Sequence, residues 1–392
     1  MGGRRLAAAV AATVGACAAQ AQEAERVAIG YVYPEERALT LSLLDRPPGD
    51  LGLAGAAAGI ADNDTTGSFM GQDFELLARA VPPEGAAEAA AALAAEGVVA
   101  IVADLPAGPL GAAVGAAPDV LTLNVGAPDD ALRLEGCPDT LVHVAPSRAM
   151  MADALAQFLV WKQWPRWFLV EGSHAEDAAF ADALRRAADR FGGEIVEERV
   201  FEDTGGARTT DSGHVQVQRQ LPVFTQRAAA HDVVLVADES EVFGEHMPYH
   251  TWDARPVAGT AGLEPTVWSP AHEQWGGIQL QNRFLDDMGR RMRSEDMLAW
   301  MAVRMVGEAA TRTNSAEADA IRDYMLGPDF ELAAFKGEAL TIRPWNNQLR
   351  QPILLADGKT VVSVSPQEGF LHPDSFLDTL GYDEPESDCA LR

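Results

Sequence analysis

The sequence predicts an α/β protein with two lobes, each built on a parallel, Rossmann-like sheet. Two observations carry this. The runs Gly97–Ala103 (GVVAIVA) and Asp232–Ala237 (DVVLVA) are continuously apolar after their first residue, as strands buried on both faces must be. Strand and helix signals alternate, and the alternation starts afresh near Leu141; that pattern builds a parallel sheet covered by helices, here twice.

The elements follow in order. Arg26–Tyr33 (RVAIGYVY) is β-rich and Pro34 stops it. Leu51–Asp62 is Ala- and Gly-rich with helical spacing, and Phe74–Leu77 reads as a strand. Glu84–Glu96 is an alanine-dense helix before the strand at 97–103. A short helix over Gly111–Ala117 and a strand over Val120–Asn124 complete the first unit. The second opens with a strand at Leu141–Ala145 and a helix from Arg148 to about Lys162, capped by Ser147. A strand at Trp167–Val170, a helix at Ala175–Phe191 ended by Gly192-Gly193, and a strand at Glu194–Val200 follow. Glu202–Gly213 is a polar surface loop, Val215–Ala230 a helix, and 232–237 and Val257–Thr260 strands. Long helices are expected over Ala271–Met288, Ser294–Thr311 and Ala316–Leu326, with short strands between Leu340 and Ser365.

With 392 residues, 47% of them hydrophobic, the chain can bury two cores. Its formal net charge of -28 repels nucleic acid and anionic lipid, so no nucleic-acid partner is expected. Residues 1–21 read as a secretory signal peptide: Arg4 and Arg5, an apolar run from Leu6 to Ala19, and an A-x-A site at Ala19-Gln20-Ala21. Val14-Gly15-Ala16-Cys17 also has the form of a bacterial lipobox, which leaves a lipoprotein anchored at Cys17 open beside soluble export to the periplasm. Cys137 and Cys389 make an even pair in an exported chain and predict a disulfide.

Several strings point to a family. Gly52–Gly67 with Met70-Gly71 looks like the first helix and Gly-bearing turn of branched-chain amino-acid-binding proteins, and Phe335-Lys336-Gly337 resembles their F-x-G segment. A-P-S-R-A-M (145–150), H-E-Q-W-G (272–276), R-Q-P-I-L-L-A (350–356) and V-S-P-Q-E-G-F-L-H (364–372) resemble a narrower group. It is the substrate-binding proteins of ABC transporters associated with PQQ-dependent alcohol dehydrogenases. The resemblance implies a type I periplasmic binding protein whose lobes are joined by a three-crossing hinge. One lobe would hold 26–146 plus 269–338, the other 147–268 plus 339–392. It implies a small-molecule ligand, an inner-membrane ABC permease and possible contact with a quinoprotein dehydrogenase as partners, and no catalysis or cofactor. The alternative role is a periplasmic sensor or a calcium- or lanthanide-handling accessory of that dehydrogenase.

Ligands of parallel α/β lobes sit outside the carboxyl ends of the strands. Those ends nominate Tyr33, Glu35, Asp104, Leu105, Pro106, Asn124 and Val125 in the first lobe. In the second they nominate Ser173, His174, Asp238, Glu239 and Glu264. Amino-acid-binding relatives hold a carboxylate with hydroxyls and backbone N–H groups after the third and fourth strands. Asp104-Leu-Pro-Ala-Gly-Pro109 departs from that pattern, and its aspartate repels a carboxylate. A cation, an alcohol or a neutral polar molecule is the better expectation.

Other candidates are weaker. Asp62, Asp64, Thr66, Gly67, Phe69 and Asp73 match the spacing of an EF-hand calcium loop. The strand expected at 74–77 argues instead for a turn, with Thr66-Gly67 at its bend. Glu245, His246, His250 and Asp253 have ligand spacing, but Pro248 breaks the helix they would need. Ser173-His174 shows no orienting acid, and no G-x-S-x-G, Walker or H-E-x-x-H motif occurs. Trp161, Trp164 and Trp167 are expected to pack a helix end onto the next strand.

Overall fold

The computed structural model describes residues 24–36, 46–204, 216–389 and 391. The signal-peptide segment with Cys17, and residues 205–213 of the expected polar loop, lie outside the described residues. The first lobe is a five-stranded parallel sheet of β1 (Glu25–Pro34), β2 (Gln72–Val81), β3 (Ala100–Ala103), β4 (Leu121–Asn124) and β5 (Leu141–His143). Their order is β2-β1-β3-β4-β5. Helices α1 (Leu53–Met70), α2 (Ala86–Ala95) and α3 (Ala107–Ala116) connect them. The second lobe runs α4 (Arg148–Trp161), β6 (Arg166–Gly172), α5 (Ala175–Phe191), β7 (Glu194–Phe201), α6 (Val217–Thr225), β8 (Val233–Ala237), α7 (Met247–His250) and β9 (Val257–Gly259). Its four strands are parallel in the order β7-β6-β8-β9.

The chain then returns. β10 (Glu264–Thr266) precedes α8 (Gly277–Met288), α9 (Ser294–Thr313) and α10 (Ala318–Met325). These are followed by β11 (Leu332–Ala333), β12 (Ala339–Leu340), β13 (Ile353–Ala356) and β14 (Val361–Ser365). β10, β13 and β14 form a small antiparallel sheet at the second lobe. Both faces of the large sheets are covered, so β3, β4 and β8 are buried at every position, as their unbroken apolar runs require.

α1 lies against α9 at backbone distance. A Cβ on Gly55 would fall 1.9 Å from the Asp296 carbonyl, and one on Gly59 2.9 Å from Val303. This contact also explains a difference from the sequence reading. α1 continues through the predicted bend at Thr66-Gly67 and ends at Gly71, whose φ is +71°. Asp62 accepts from Trp300 Nε1 and Arg283 Nη2, each at 2.8 Å, and Asn63 donates to the Val303 carbonyl at 3.0 Å. Asp64 accepts from the Phe74 amide at 3.1 Å. Tertiary partners therefore outweigh the low helix propensity of D-N-D. Asp62, Asp64, Thr66, Gly67 and Phe69 stand on α1 and Asp73 on β2, so neither the expected turn at Thr66-Gly67 nor a calcium loop is formed. Among the described residues no group of three or more metal-ligating side chains occurs.

The helix expected from Ala271 begins only at Gly277. Trp275 (φ +50°) and Gly276 (φ +84°) interrupt it, because the Trp275 ring packs on Gly337, where a Cβ would lie 2.5 Å away. α6 is shorter than 215–230 and carries Pro222. Pro248 does not break α7; it lies in the first turn, where its missing N–H costs nothing. The His246 and His250 rings meet at 5.8 Å. Trp167 is fully buried and its indole donates to the Trp164 carbonyl, while Trp161 is half exposed.

Three passages join the lobes. The first follows β5 at Val144–Ser147, and the second follows β10 at Val267–Ser269. Leu340 and Leu349 belong to the first lobe's core, and Gln348 pairs in parallel with His143 of β5. The packing thus places the third passage at Arg350–Pro352, later than the sequence boundary at 338/339. The tail also turns back: Asp388 N donates to the Leu134 carbonyl at 3.0 Å, and Cys389 is joined to Cys137 by the expected disulfide, 252 residues apart.

Candidate functional site

Both large sheets direct their carboxyl ends at one groove between the lobes. Its outer part, about 580 Å³, is lined by Pro34, Glu36, Asp104, Leu105, Pro106, Glu176 and Ser240 among others. Its inner part, about 440 Å³, is lined by Val125, Arg148, Met151, Phe180, Thr260, Glu264 and Leu298 among others. The two parts share Asp104, Gly126, Glu239 and Glu295. A larger groove of about 810 Å³, between the Pro270–Leu285 region and the β13–β14 hairpin, lies away from the strand ends. Position, not size, selects the site.

The chemistry of the lining is one-sided. Its acids are Glu36, Asp104, Glu176, Glu239, Glu241, Glu264 and Glu295; its one cation among the described residues is Arg148. That guanidinium is already held. Its Nε lies 3.0 Å from both Glu239 oxygens, Nη2 lies 2.7 Å from Oε2, and Nη1 lies 3.2 Å from Asp129 of the other lobe. Burial opposes its charge, but Glu239 and Asp129 more than offset that and raise its pKa. Burial likewise pushes the Glu239 carboxyl up, against the pull of Arg148.

Three helix N-termini, the usual anion donors of such grooves, are closed by side chains. Ser147 Oγ accepts from Met150 N and Asp130 accepts from Ala149 N at the start of α4. Asp177 accepts from His174 N at the start of α5 and from Ser240. Asp296 accepts from Arg293 N at the start of α9. α3 differs: Pro106 is its N-cap and makes no side-chain bond, and Pro109 in the first turn lacks an N–H, which leaves Ala107 and Gly108 as the amides at this end.

Of the residues nominated by sequence, Asp104, Leu105, Pro106, Val125, Glu239 and Glu264 line the groove together. Asp104 is 7% exposed and accepts from Tyr31 Oη at 3.3 Å. A Cβ on Gly126 would lie 2.9 Å from Asp104 Oδ1, so glycine there lets the two loops meet. The other six do not line it. Tyr33 stacks on Tyr31, and the Glu35 amide continues the β1 ladder to Val81 O. Asn124 is fully buried and ties its own turn, accepting from Gly126 N and Ala127 N. Asp238 accepts from the amides of Val242, Phe243 and Gly244, and burial raises its pKa. His174 Nε2 pairs with Asp203 at 3.0 Å, which raises the His174 pKa, while Ser173 Oγ accepts from Asp203 N. The acid absent from the sequence reading is therefore Asp203, but Ser173 bonds its backbone and not the imidazole. Arg148, Thr260, Glu176 and Glu295 were missed. Arg148 sits inside A-P-S-R-A-M, the only signal that marked it.

Residues 44–212 match the family model described as periplasmic binding protein. No protein of curated function matches the chain by sequence. Solved structures agree over most of its length. An ABC transporter substrate-binding protein of Sphaerobacter thermophilus is 19% identical, with a TM-score of 0.69 over 87% of this chain and 98% of its own. The branched-chain amino-acid transporter substrate-binding protein LivJ of Streptococcus pneumoniae, solved with isoleucine, is 16% identical with a TM-score of 0.63, over 87% and 99%. A solute-binding protein of R. palustris solved with benzoate is 12% identical with a TM-score of 0.64, over 86% and 96%. At these identities the likeness is one of architecture, and it agrees with the parallel sheets and the groove between them: this chain has the type I periplasmic binding protein fold.

Proposed function

We propose that this protein is the soluble solute receptor of an ABC transport system in the periplasm, closing its lobes over a cationic or neutral polar molecule and presenting it to an inner-membrane permease. The observation that carries the reading is the groove at the carboxyl ends of both parallel sheets, lined from both lobes. The ligand class follows from charge. Isoleucine and benzoate, held by the two similar proteins, are carboxylic acids. Here the groove cation is paired, three helix N-termini are capped by side chains, and acids line the walls, so a carboxylate would enter against repulsion. An amine, an amino alcohol or a short polyol meets acceptors instead. The resemblance of four strings to binding proteins of alcohol-oxidising systems supports a place beside PQQ-dependent alcohol dehydrogenation.

Thermal melting of the mature chain tests this, since a ligand that prefers the folded state raises Tm by mass action. The set should include amino acids, aromatic acids, short alcohols, diamines and amino alcohols. Amines or alcohols should raise Tm, and Asp104→Ser should weaken that shift. A shift with leucine or benzoate alone would overturn the charge argument and leave the receptor reading intact.

A further inference from the structure

Arg148 turns a two-pronged edge towards the groove, and the chain's own Glu239 fills it. Glu239 accepts from Nε with both oxygens at 3.0 Å and from Nη2 with Oε2 at 2.7 Å. Two N–H groups on one guanidinium edge form the fork that holds a carboxylate bidentately. Asp129 meets only the remaining nitrogen, Nη1, at 3.2 Å. Asp129 lines neither part of the groove, whereas Glu239 lines both. Glu239 is also the more open of the pair, its side chain 25% exposed against 10% for Arg148.

The fork does not depend on Glu239 for its position. The Arg148 amide donates to the Pro128 carbonyl at 2.9 Å. Ala149 N donates to Asp130 at 3.1 Å and Met150 N to Ser147 Oγ at 3.3 Å. These bonds fix the backbone that carries the guanidinium, and Asp129 steadies its end. Beside it, Met151, Phe180 and Leu298 give the inner part of the groove an apolar wall.

Resting on the reading of this groove as the ligand site, we propose that Glu239 is its specificity-determining residue. Its carboxylate occupies the Arg148 fork as the carboxylate of a ligand would, and so excludes carboxylic acids. Exclusion then comes from one filled fork, not from the summed charge of the walls. Without Glu239 the edge made by Nε and Nη2 is open, and the groove takes small monocarboxylates whose apolar body lies on Met151, Phe180 and Leu298.

Thermal melting of the full mature chain with benzoate, and with benzamide as its neutral isostere, tests this. Glu239→Ala should gain a Tm rise with benzoate that benzamide does not give, corresponding to binding at least about tenfold tighter than in the wild type, the effect of one charge-assisted pair. Adding Arg148→Met to Glu239→Ala should abolish the rise. Glu176→Ala, which removes a groove carboxylate that does not sit on Arg148, should show none. If Glu239→Ala does not fold, Glu239→Gln decides; it removes the charge, keeps the shape, and should show a rise in the same direction. A folded Glu239 variant with no benzoate-specific rise, a rise that survives Arg148→Met, or an equal rise in the wild type or in Glu176→Ala would each overturn the proposal. The native solute does not enter these comparisons. Amines and alcohols that fail to stabilise the wild type would overturn the receptor reading, while the Glu239 variants still decide the role of Glu239.

Discussion

Asp153 shows how a single buried charge is made tolerable. It is fully buried on α4 and accepts from Arg186 at 3.1 Å, Arg190 at 2.8 Å and the Gly381 amide at 2.8 Å. Asp153→Ala leaves two arginines and an amide facing an empty site, and should cost about 3–5 kcal/mol in urea unfolding. Lys336 is a second buried ionisable group, donating to the carbonyls of Val267 and Pro352 and to Gln351 Oε1. Burial lowers its folded-state pKa to about 7, below the ordinary lysine value of 10.5, so between these values the unfolded chain binds more protons. Stability against global unfolding therefore rises with pH across that window and is flat below it. Urea midpoints at about pH 7 and about pH 9 should move apart in the wild type and converge in Lys336→Met. Asp104, Glu239 and Glu264 were legible as groove residues because each follows or precedes a strand end. Asn124 and Asp238 occupy equivalent positions, yet turn inward to satisfy amides, and sequence position alone cannot distinguish those outcomes.

At the scale of elements, accuracy followed local signals. α5 was read to both ends because Asp177 caps its start and Gly192, at φ +83°, ends it. α1 was read too short because its polar centre is supported by α9, more than two hundred residues away in sequence. The start of α8 was read too early because Trp275 turns away to meet Gly337. β10, β11 and β12 are two or three residues long, too short to show a period. The α1–α9 contact yields a sharp expectation. Gly55→Ala places a Cβ 1.9 Å from a carbonyl oxygen, so the helices must separate. The variant should lose about 1–3 kcal/mol or more, seen as a lower Tm, whereas Gly111→Ala, with open space around it, should keep or raise Tm.

For the whole molecule, the three passages and the Cys137–Cys389 bond set how the lobes can move. The bond closes a loop of 252 residues and anchors the tail to the first lobe beside Leu134. Cys137→Ser with Cys389→Ser should cost about 2–4 kcal/mol of stability, measured by urea midpoint against the oxidised wild type. The parallel sheets and their restart were legible because burial on both faces demands long apolar runs, which any window of sequence reveals. The pairing of the cysteines was legible because only two remain after the expected cleavage.

By itself the sequence determined the fold class, the two-lobe order and the strand ends at which a ligand can be met. These depend on residues close together along the chain. Only the tertiary structure decided that the calcium-like spacing is divided between α1 and β2, that Arg148 is neutralised from both lobes, and that Lys336 donates to Val267 and Pro352 across two passages. Each of those depends on partners distant in sequence, whose hydrogen bonds and charges act only when folding brings them within a few ångströms.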